Sequence, residues 1–320
     1  MKRILLLLPL LVGAAAPSPQ GTPIEAPGPI GALEGTLLQP AAGHDRPQPG
    51  PVVLIIPGSG PTDRDGDSPL GVRAAPYRLL AEGLAAHGVT TVRIDKRGMF
   101  GSAAATMDAN AVTIGGYADD VHSWIKVIRQ RTGASCVWLL GHSEGGLVAL
   151  VAAQHQTDVC GVVLVAAAGR PMGEVLRAQL EANPANAPLL GQIMPDIDAL
   201  EAGQHIDDAG MAPALRALFR PQVQDLLIDE FRYDPTRLLS GYAKPVLIVQ
   251  GERDLQIGKA DAERLEEADP RAKIVLLAGV NHVLKQVGDG GVQANIATYA
   301  NPDLPLAPGV VDAIGDFLLH

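Results

Sequence analysis

The chain has 320 residues and a formal net charge of −10, a length that suits one large domain or two small ones. No basic run follows Lys2-Arg3, which argues against the clustered phosphate contacts of a nucleic-acid binder. With 47% hydrophobic but only 3% aromatic residues, and 36 glycines, the composition favours parallel strands under close-packed helices, an α/β class.

The positive start at Lys2-Arg3 and the apolar stretch 4–12 are too short for a membrane span and read as a signal peptide over 1–14, cut after Val12-Gly13-Ala14. Its removal changes the formal charge from −10 to −12 and leaves an exported, periplasmic or extracellular protein with no stable membrane anchor. Residues 15–31, rich in proline and glycine, read as an extended leader. Strands are expected at 33–38 and 52–56, a helix at 77–87, a strand at 90–94, a helix at 117–131 and a strand at 137–140. A buried helix follows Ser143. Further strands fall at 161–166, 246–250 and 273–278, with helices at 259–267 and 309–319. Between 170 and 242 the alternation stops; helical stretches at 172–181, 187–202 and 214–231 without clusters of β-branched residues predict a helical cap. The core is then 32–169 with 243–320. Cys136 and Cys160 precede what read as two neighbouring strands; a disulfide and two inert buried thiols are both open.

Chemistry concentrates at strand ends. Gly141-His142-Ser143-Glu144-Gly145 is a G-x-S-x-G pattern between a strand and a helix, where flanking glycines permit a sharp turn that lifts a serine hydroxyl above the sheet. A serine nucleophile needs an imidazole to take its proton and a carboxylate to orient that imidazole. Asp254 follows the 246–250 strand and His282 follows the next one, in the order Ser, acid, His; Glu252 is the substitute acid. His142 reads as a packing residue beside the nucleophile. Backbone N–H groups of Glu144 and of Ser59, in Pro57-Gly58-Ser59-Gly60, are the expected oxyanion donors. Asp63, Asp65 and Asp67 lack the glycine and twelfth-position spacing of an EF-hand. They read instead, with Arg64, as a charge-paired loop stiffening the oxyanion wall, with Arg97 or Glu144 as partners.

With Pro57-Gly58-Ser59-Gly60-Pro61-Thr62-Asp63-Arg64-Asp65-Gly66, Asp95-Lys96-Arg97-Gly98, Gly141-His142-Ser143-Glu144-Gly145-Gly146, Gly251-Glu252-Arg253-Asp254 and Asn281-His282-Val283-Leu284-Lys285, the chain resembles the α/β-hydrolases, in particular the secreted or periplasmic esterase and serine-aminopeptidase-like group. Asp67 departs from the asparagine expected by that resemblance. The resemblance implies a mostly parallel central sheet flanked by helices, with a helical cap insertion. It also implies Ser143 as nucleophile, Asp254 as acid, His282 as base, and Ser59 and Glu144 as oxyanion donors.

The leading expectation is a carboxylesterase that cleaves short-to-medium acyl esters through an acyl-serine intermediate and needs no metal or organic cofactor. A peptidase or amidase, or a thioesterase, uses the same triad. An aminopeptidase needs a cap carboxylate for the substrate amine, with Glu174, Glu181 and Glu201 as candidates. A non-catalytic binding protein on the same fold is the remote alternative. Leu176, Leu180, Leu189, Leu190, Ile193, Met194, Leu215, Leu218 and Phe219 are candidates for an apolar acyl pocket, against the ordinary reading that they pack against one another as cap core.

Overall fold

A computed structural model describes residues 21–41 and 50–320; the expected signal peptide and the start of the leader lie outside the described residues. Eight strands, β1 (Thr22–Pro27), β2 (Ala32–Leu38), β3 (Val52–Ile56), β4 (Thr90–Ile94), β5 (Val137–His142), β6 (Val159–Val165), β7 (Val246–Gly251) and β8 (Lys273–Leu277), form one sheet in the order β1-β2-β4-β3-β5-β6-β7-β8. Pairing is antiparallel for β1 with β2 and β2 with β4, and parallel elsewhere. Residues 22–27, expected within an unpacked leader, instead form the edge strand β1. Ile24 and Ala26 point inward and are buried while their neighbours are exposed, the alternation of a half-buried antiparallel strand.

Helices α1 (Pro76–Ala86), α2 (Ile114–Thr132) and α3 (Glu144–Ala153) alternate with these strands. Five helices then follow without an intervening strand: α4 (Met172–Ala182), α5 (Leu190–Glu201), α6 (Pro213–Phe219), α7 (Pro221–Phe231) and α8 (Pro235–Ser240). Helices α9 (Lys259–Ala268), α10 (Gly291–Ala297) and α11 (Val310–Leu319) complete the chain. Where one helix is expected over 214–231, the chain breaks at Arg220 because Pro221 begins a new helix, the position at which its missing N–H costs nothing.

The central strands are apolar on both faces. Leu54 and Ile56 belong to one core layer with Val121, Trp124 and Ile128 of α2; Val53 and Ile55 belong to the other, with Leu80 and Leu84 of α1 and Ile314 of α11. Each such side chain removed from water stabilises the fold by about 1.5–3 kcal/mol. Helix α2 is fixed at its start by Thr113, whose hydroxyl accepts the Gly116 N–H, and at its end by Gly133 in the left-handed region. Helices α4–α7 have a separate core built from Ile193, Ile197, Leu200, Leu215, Phe219 and Phe231, with Leu176, Leu180, Leu189, Leu190 and Leu218 packed against it, whereas Leu239 of α8 joins the main core. Cys136, just before β5, and Cys160, in β6, form a disulfide with Cα atoms 5.2 Å apart. Among the described residues, no helix is long and apolar enough to cross a membrane.

Register positions the functional loops. Ile56 pairs with Gly141, so the loops after β3 and β5 leave the sheet side by side at the point where strand order reverses; Gly251 pairs with Leu277, so the loops after β7 and β8 do likewise. The reversal point at the carboxyl edge is where open α/β sheets place ligands.

Candidate active site

Ser143 sits between β5 and α3 with φ 55° and ψ −125°, a conformation that costs a non-glycine residue of order 1–3 kcal/mol and persists only when its surroundings impose it. The surroundings do: Ser143 N–H donates to the Val165 carbonyl at 3.0 Å and the Ser143 carbonyl accepts from Gly146 at 2.8 Å. A Cβ on Gly141 would strike the Gly145 carbonyl, and one on Gly145 would strike the Ile56 and Pro57 carbonyls. Both glycines are therefore steric requirements of the turn. Glu144 is the first residue of α3, where a backbone N–H has no partner inside the helix.

His282 Nδ1 lies 2.7 Å from Asp254 Oδ2, and both side chains are buried. Asp254 Oδ1 accepts the N–H groups of Gln256 at 2.8 Å and Ile257 at 3.0 Å. Burial opposes ionisation of this carboxyl, but His282 and the two amides outweigh it and hold it below the usual carboxylate range. Glu252, the substitute acid, is exposed. The loop carrying His282 is pinned by its neighbour: Asn281 Nδ2 donates to Asn295 Oδ1 at 3.0 Å and to Thr298 Oγ1 at 2.7 Å, while Asn281 Oδ1 accepts the Lys285 N–H at 3.0 Å. Sequence reasoning missed this anchor because Asn295 belongs to α10, a short helix with no strong periodicity.

Ser143, Ser59 and His282 line one cavity of about 230 Å³. Its other walls include Pro61, Leu70, Val72, Val283 and Tyr299, with Gln256 as a polar edge, and among the described residues no Asp, Glu, Lys or Arg side chain lines it. Among the described residues, none of its lining comes from 170–242. Of the cap positions considered for an acyl pocket, all but Met194 pack into or against the cap's own core, since amphipathic helices bury their apolar faces against one another first. The wall is supplied instead by the loop after β3 and by the segment after α10, tied together where the Arg73 N–H donates to the Tyr299 carbonyl at 2.7 Å.

The loop carrying Ser59 is anchored from beneath. Lys96 Nζ donates to the Gly58 carbonyl at 2.6 Å and to Glu144 Oε1 at 3.2 Å, and the Lys96 and Glu144 side chains are each only 4% exposed. Glu230 of α7 is buried too, and burial followed by the Glu144 charge pushes its carboxyl well above the usual range. The partners of Arg64 differ from expectation. Its guanidinium binds Asp95, with Nε 2.9 Å from Oδ2, and Glu34 at 3.3 Å; Arg97 is instead taken by Asp120 and Glu144 by Lys96. Asp63 Oδ1 accepts the N–H groups of Asp65 and Asp67, each at 2.9 Å, and Arg93 pairs with Asp65. These carboxylates fix a turn, and among the described residues no group of three or more His, Cys, Asp or Glu is arranged to hold a metal ion. His142, read from sequence as a packing residue, hydrogen-bonds through both ring nitrogens, to Tyr77 and to the His282 carbonyl.

Residues 70–225 match the family model described as serine aminopeptidase, S33; the match includes Ser143 and most of the cap but stops before Asp254 and His282. The chain is 27% identical over 241 residues to the esterase EstD of Thermotoga maritima, covering 74% of this chain and 55% of that protein, so it spans about half the length of that curated relative. Among solved structures, Est1E from Butyrivibrio proteoclasticus aligns over 94% of this chain and 98% of its own at a TM-score of 0.56 and 16% identity. The α/β-hydrolase GrgF from Penicillium sp. sh18 aligns over 93% and 98% at 0.58 and 18%. The eight-stranded sheet, the serine turn at its strand-order reversal and these likenesses together show that the chain has the α/β-hydrolase fold.

Proposed function

We propose that the protein is a serine carboxylesterase acting on neutral, short-to-medium acyl esters. Ser143 Oγ attacks the ester carbonyl and His282 takes its proton, while Asp254 fixes the imidazole tautomer and stabilises its charge. The oxyanion is received by the N–H groups of Glu144 and Ser59. His282 then protonates the leaving alcohol, and a water activated by the same imidazole releases the acid from the acyl-serine. The observation that carries this reading is the 2.7 Å His282–Asp254 contact beside a cavity that His282 shares with the strained Ser143.

The ester preference rests on the same cavity. A peptidase that recognises a free amino terminus needs a carboxylate facing the substrate ammonium, and among the described residues no carboxylate lines this space. The cap acids considered for that role are engaged or solvated: Glu201 pairs with Arg177 at 2.7 Å, Glu174 lies 3.7 Å from Arg264, and Glu181 is exposed. Size supports short acyl groups. The cavity holds about 230 Å³, below the roughly 300–1,000 Å³ of pockets that enclose drug-sized ligands.

The test is intact mass after reaction with a fluorophosphonate, on the wild type and Ser143→Ala, beside release from p-nitrophenyl esters of graded length and amino-acid p-nitroanilides. Labelling lost in Ser143→Ala, with ester but not anilide turnover, is expected. Anilide turnover transfers the assignment to a peptidase, and absence of labelling removes the enzyme reading. Export to an oxidising compartment belongs to the same proposal, supported by the charged and apolar start of the sequence and by the Cys136–Cys160 disulfide. An amino terminus after Ala14 in a periplasmic or culture fraction is the expected result; an intact Met1 in the cytosol overturns it.

A further inference from the structure

His142, the residue before the nucleophile, takes no part in the triad chemistry, yet both its ring nitrogens are engaged in the middle of the site. Nε2 lies 2.8 Å from the His282 carbonyl oxygen and Nδ1 lies 2.9 Å from the Tyr77 hydroxyl. The same hydroxyl accepts the Gly58 N–H at 3.1 Å. A carbonyl only accepts, so Nε2 carries the ring proton. A neutral imidazole then offers Nδ1 as an acceptor, and the Tyr77 hydroxyl donates to it. Every proton in the chain has one place: Gly58 N–H to Tyr77, Tyr77 O–H to His142, and His142 N–H to the backbone of His282.

We propose that Tyr77 and His142 are positioning residues, which through this directed chain lock the oxyanion loop and the base loop to the nucleophile turn, and that the chain works only with His142 neutral. The inference rests on the serine-hydrolase reading above. Gly58 directly precedes the Ser59 oxyanion donor, and the His282 carbonyl belongs to the base itself, so the chain joins the two groups whose relative placement sets the reaction geometry. A second proton on His142 would point an N–H at a hydroxyl already receiving one from Gly58, and would strand the Tyr77 proton in a buried site. It would also place a cation beside the imidazolium that forms on His282 during catalysis, with the two rings 4.7 Å apart. Burial, then the His282 charge, push His142 down to about 3. Burial likewise raises Tyr77, which therefore keeps its donor proton.

Two measurements test this. The first is a long-range ¹H–¹⁵N spectrum of the full chain labelled with ¹⁵N-histidine, from about pH 5 to about pH 9, with the His142 signals assigned by their loss in His142→Gln. The neutral Nε2–H pattern at every pH is expected; an Nδ1–H tautomer, or titration within that range, overturns the proposal. The second is Tyr77→Phe, which keeps the ring and removes both hydroxyl contacts, with turnover expressed per fluorophosphonate-reactive site. The expected result is a fall in kcat of about tenfold to hundredfold, as for a small misplacement of reacting groups, with KM changed less than about threefold. A role in stability alone would lower the reactive fraction and leave kcat per reactive site unchanged, and that outcome also overturns the proposal. Should Tyr77→Phe fail to fold, the wild-type spectrum decides. Wild-type protein that neither reacts with the fluorophosphonate nor cleaves esters sinks the serine-hydrolase reading, and the spectrum then tells whether the hydrogen-bond chain exists apart from it.

Discussion

Replacing Lys96 with methionine separates stability from catalysis at one buried position. Methionine keeps most of the side-chain length but removes the ammonium that binds Glu144 Oε1 and the Gly58 carbonyl. Glu144 is then a buried carboxylate near a second one, Glu230. Removing one partner of a buried ion pair typically costs about 3–5 kcal/mol. At roughly 2–4 °C per kcal/mol for a domain near this size, Tm should fall by about 10 °C at neutral pH. The double variant Lys96→Met/Glu144→Leu removes both charges and should regain most of the stability, because a well-packed apolar pair replaces a buried ion pair at little cost. It should not regain turnover, since the Gly58 carbonyl still lacks its anchor and the Ser59 N–H beside it is no longer held. The assays are urea unfolding at neutral pH and ester turnover per fluorophosphonate-reactive site. A single variant within about 1 kcal/mol of wild type, or a double variant with full turnover, refutes the anchoring argument.

Asp254→Asn should leave the fold intact and lower kcat by about 10⁴-fold, because an amide no longer selects the His282 tautomer that accepts from Ser143; a loss under about tenfold, measured by steady-state ester hydrolysis, contradicts the role given to the carboxylate. Replacing Cys136 and Cys160 together by alanine opens a cross-link between residues 24 apart and should cost about 3 kcal/mol by loop-closure entropy, read as a lowered urea midpoint. Acid should destabilise the protein in two stages. Between pH 6.5 and about 3 the unfolded chain binds a proton that folded His142 refuses, so this contribution is complete above 6.5 and falls by about 1.36 kcal/mol per unit below it, about 2 kcal/mol by pH 5. Asp254, held below its ordinary value, adds a second loss below about pH 4. Glu230, raised by burial and then by Glu144, works in the opposite direction. The comparison that isolates His142 is therefore the difference in stability slope between wild type and His142→Gln over pH 5–6.5, and equal slopes would contradict the assignment.

Much of the site was legible because its parts are local. A strand, a G-x-S-x-G turn and a helix lie within about twenty residues, and the glycines there follow from backbone clashes that any such turn produces. Asp254 and His282 were legible because each follows an apolar strand in the order that a parallel sheet brings to one edge. The β1 strand was not, because Pro23 and Pro27 read as leader; an edge strand tolerates proline where its N–H side faces away from the ladder. The cap's leucines were ambiguous because amphipathic periodicity shows that a face is buried without showing what covers it.

The amino-acid sequence by itself determined the αβ alternation, the strained serine turn and the placement of Asp254 and His282 after later strands, because each depends on spacing along a few turns or strands of chain. Only the tertiary structure decided that β4 lies beside β3 and so brings Lys96 under Gly58, that α10 braces Asn281, that Tyr77 and His142 join two loops, and that Tyr299 rather than the cap walls the cavity. Those contacts join residues tens to hundreds of positions apart, and their partners are selected by sheet order and by the need to pair every buried polar group, conditions that no local pattern carries.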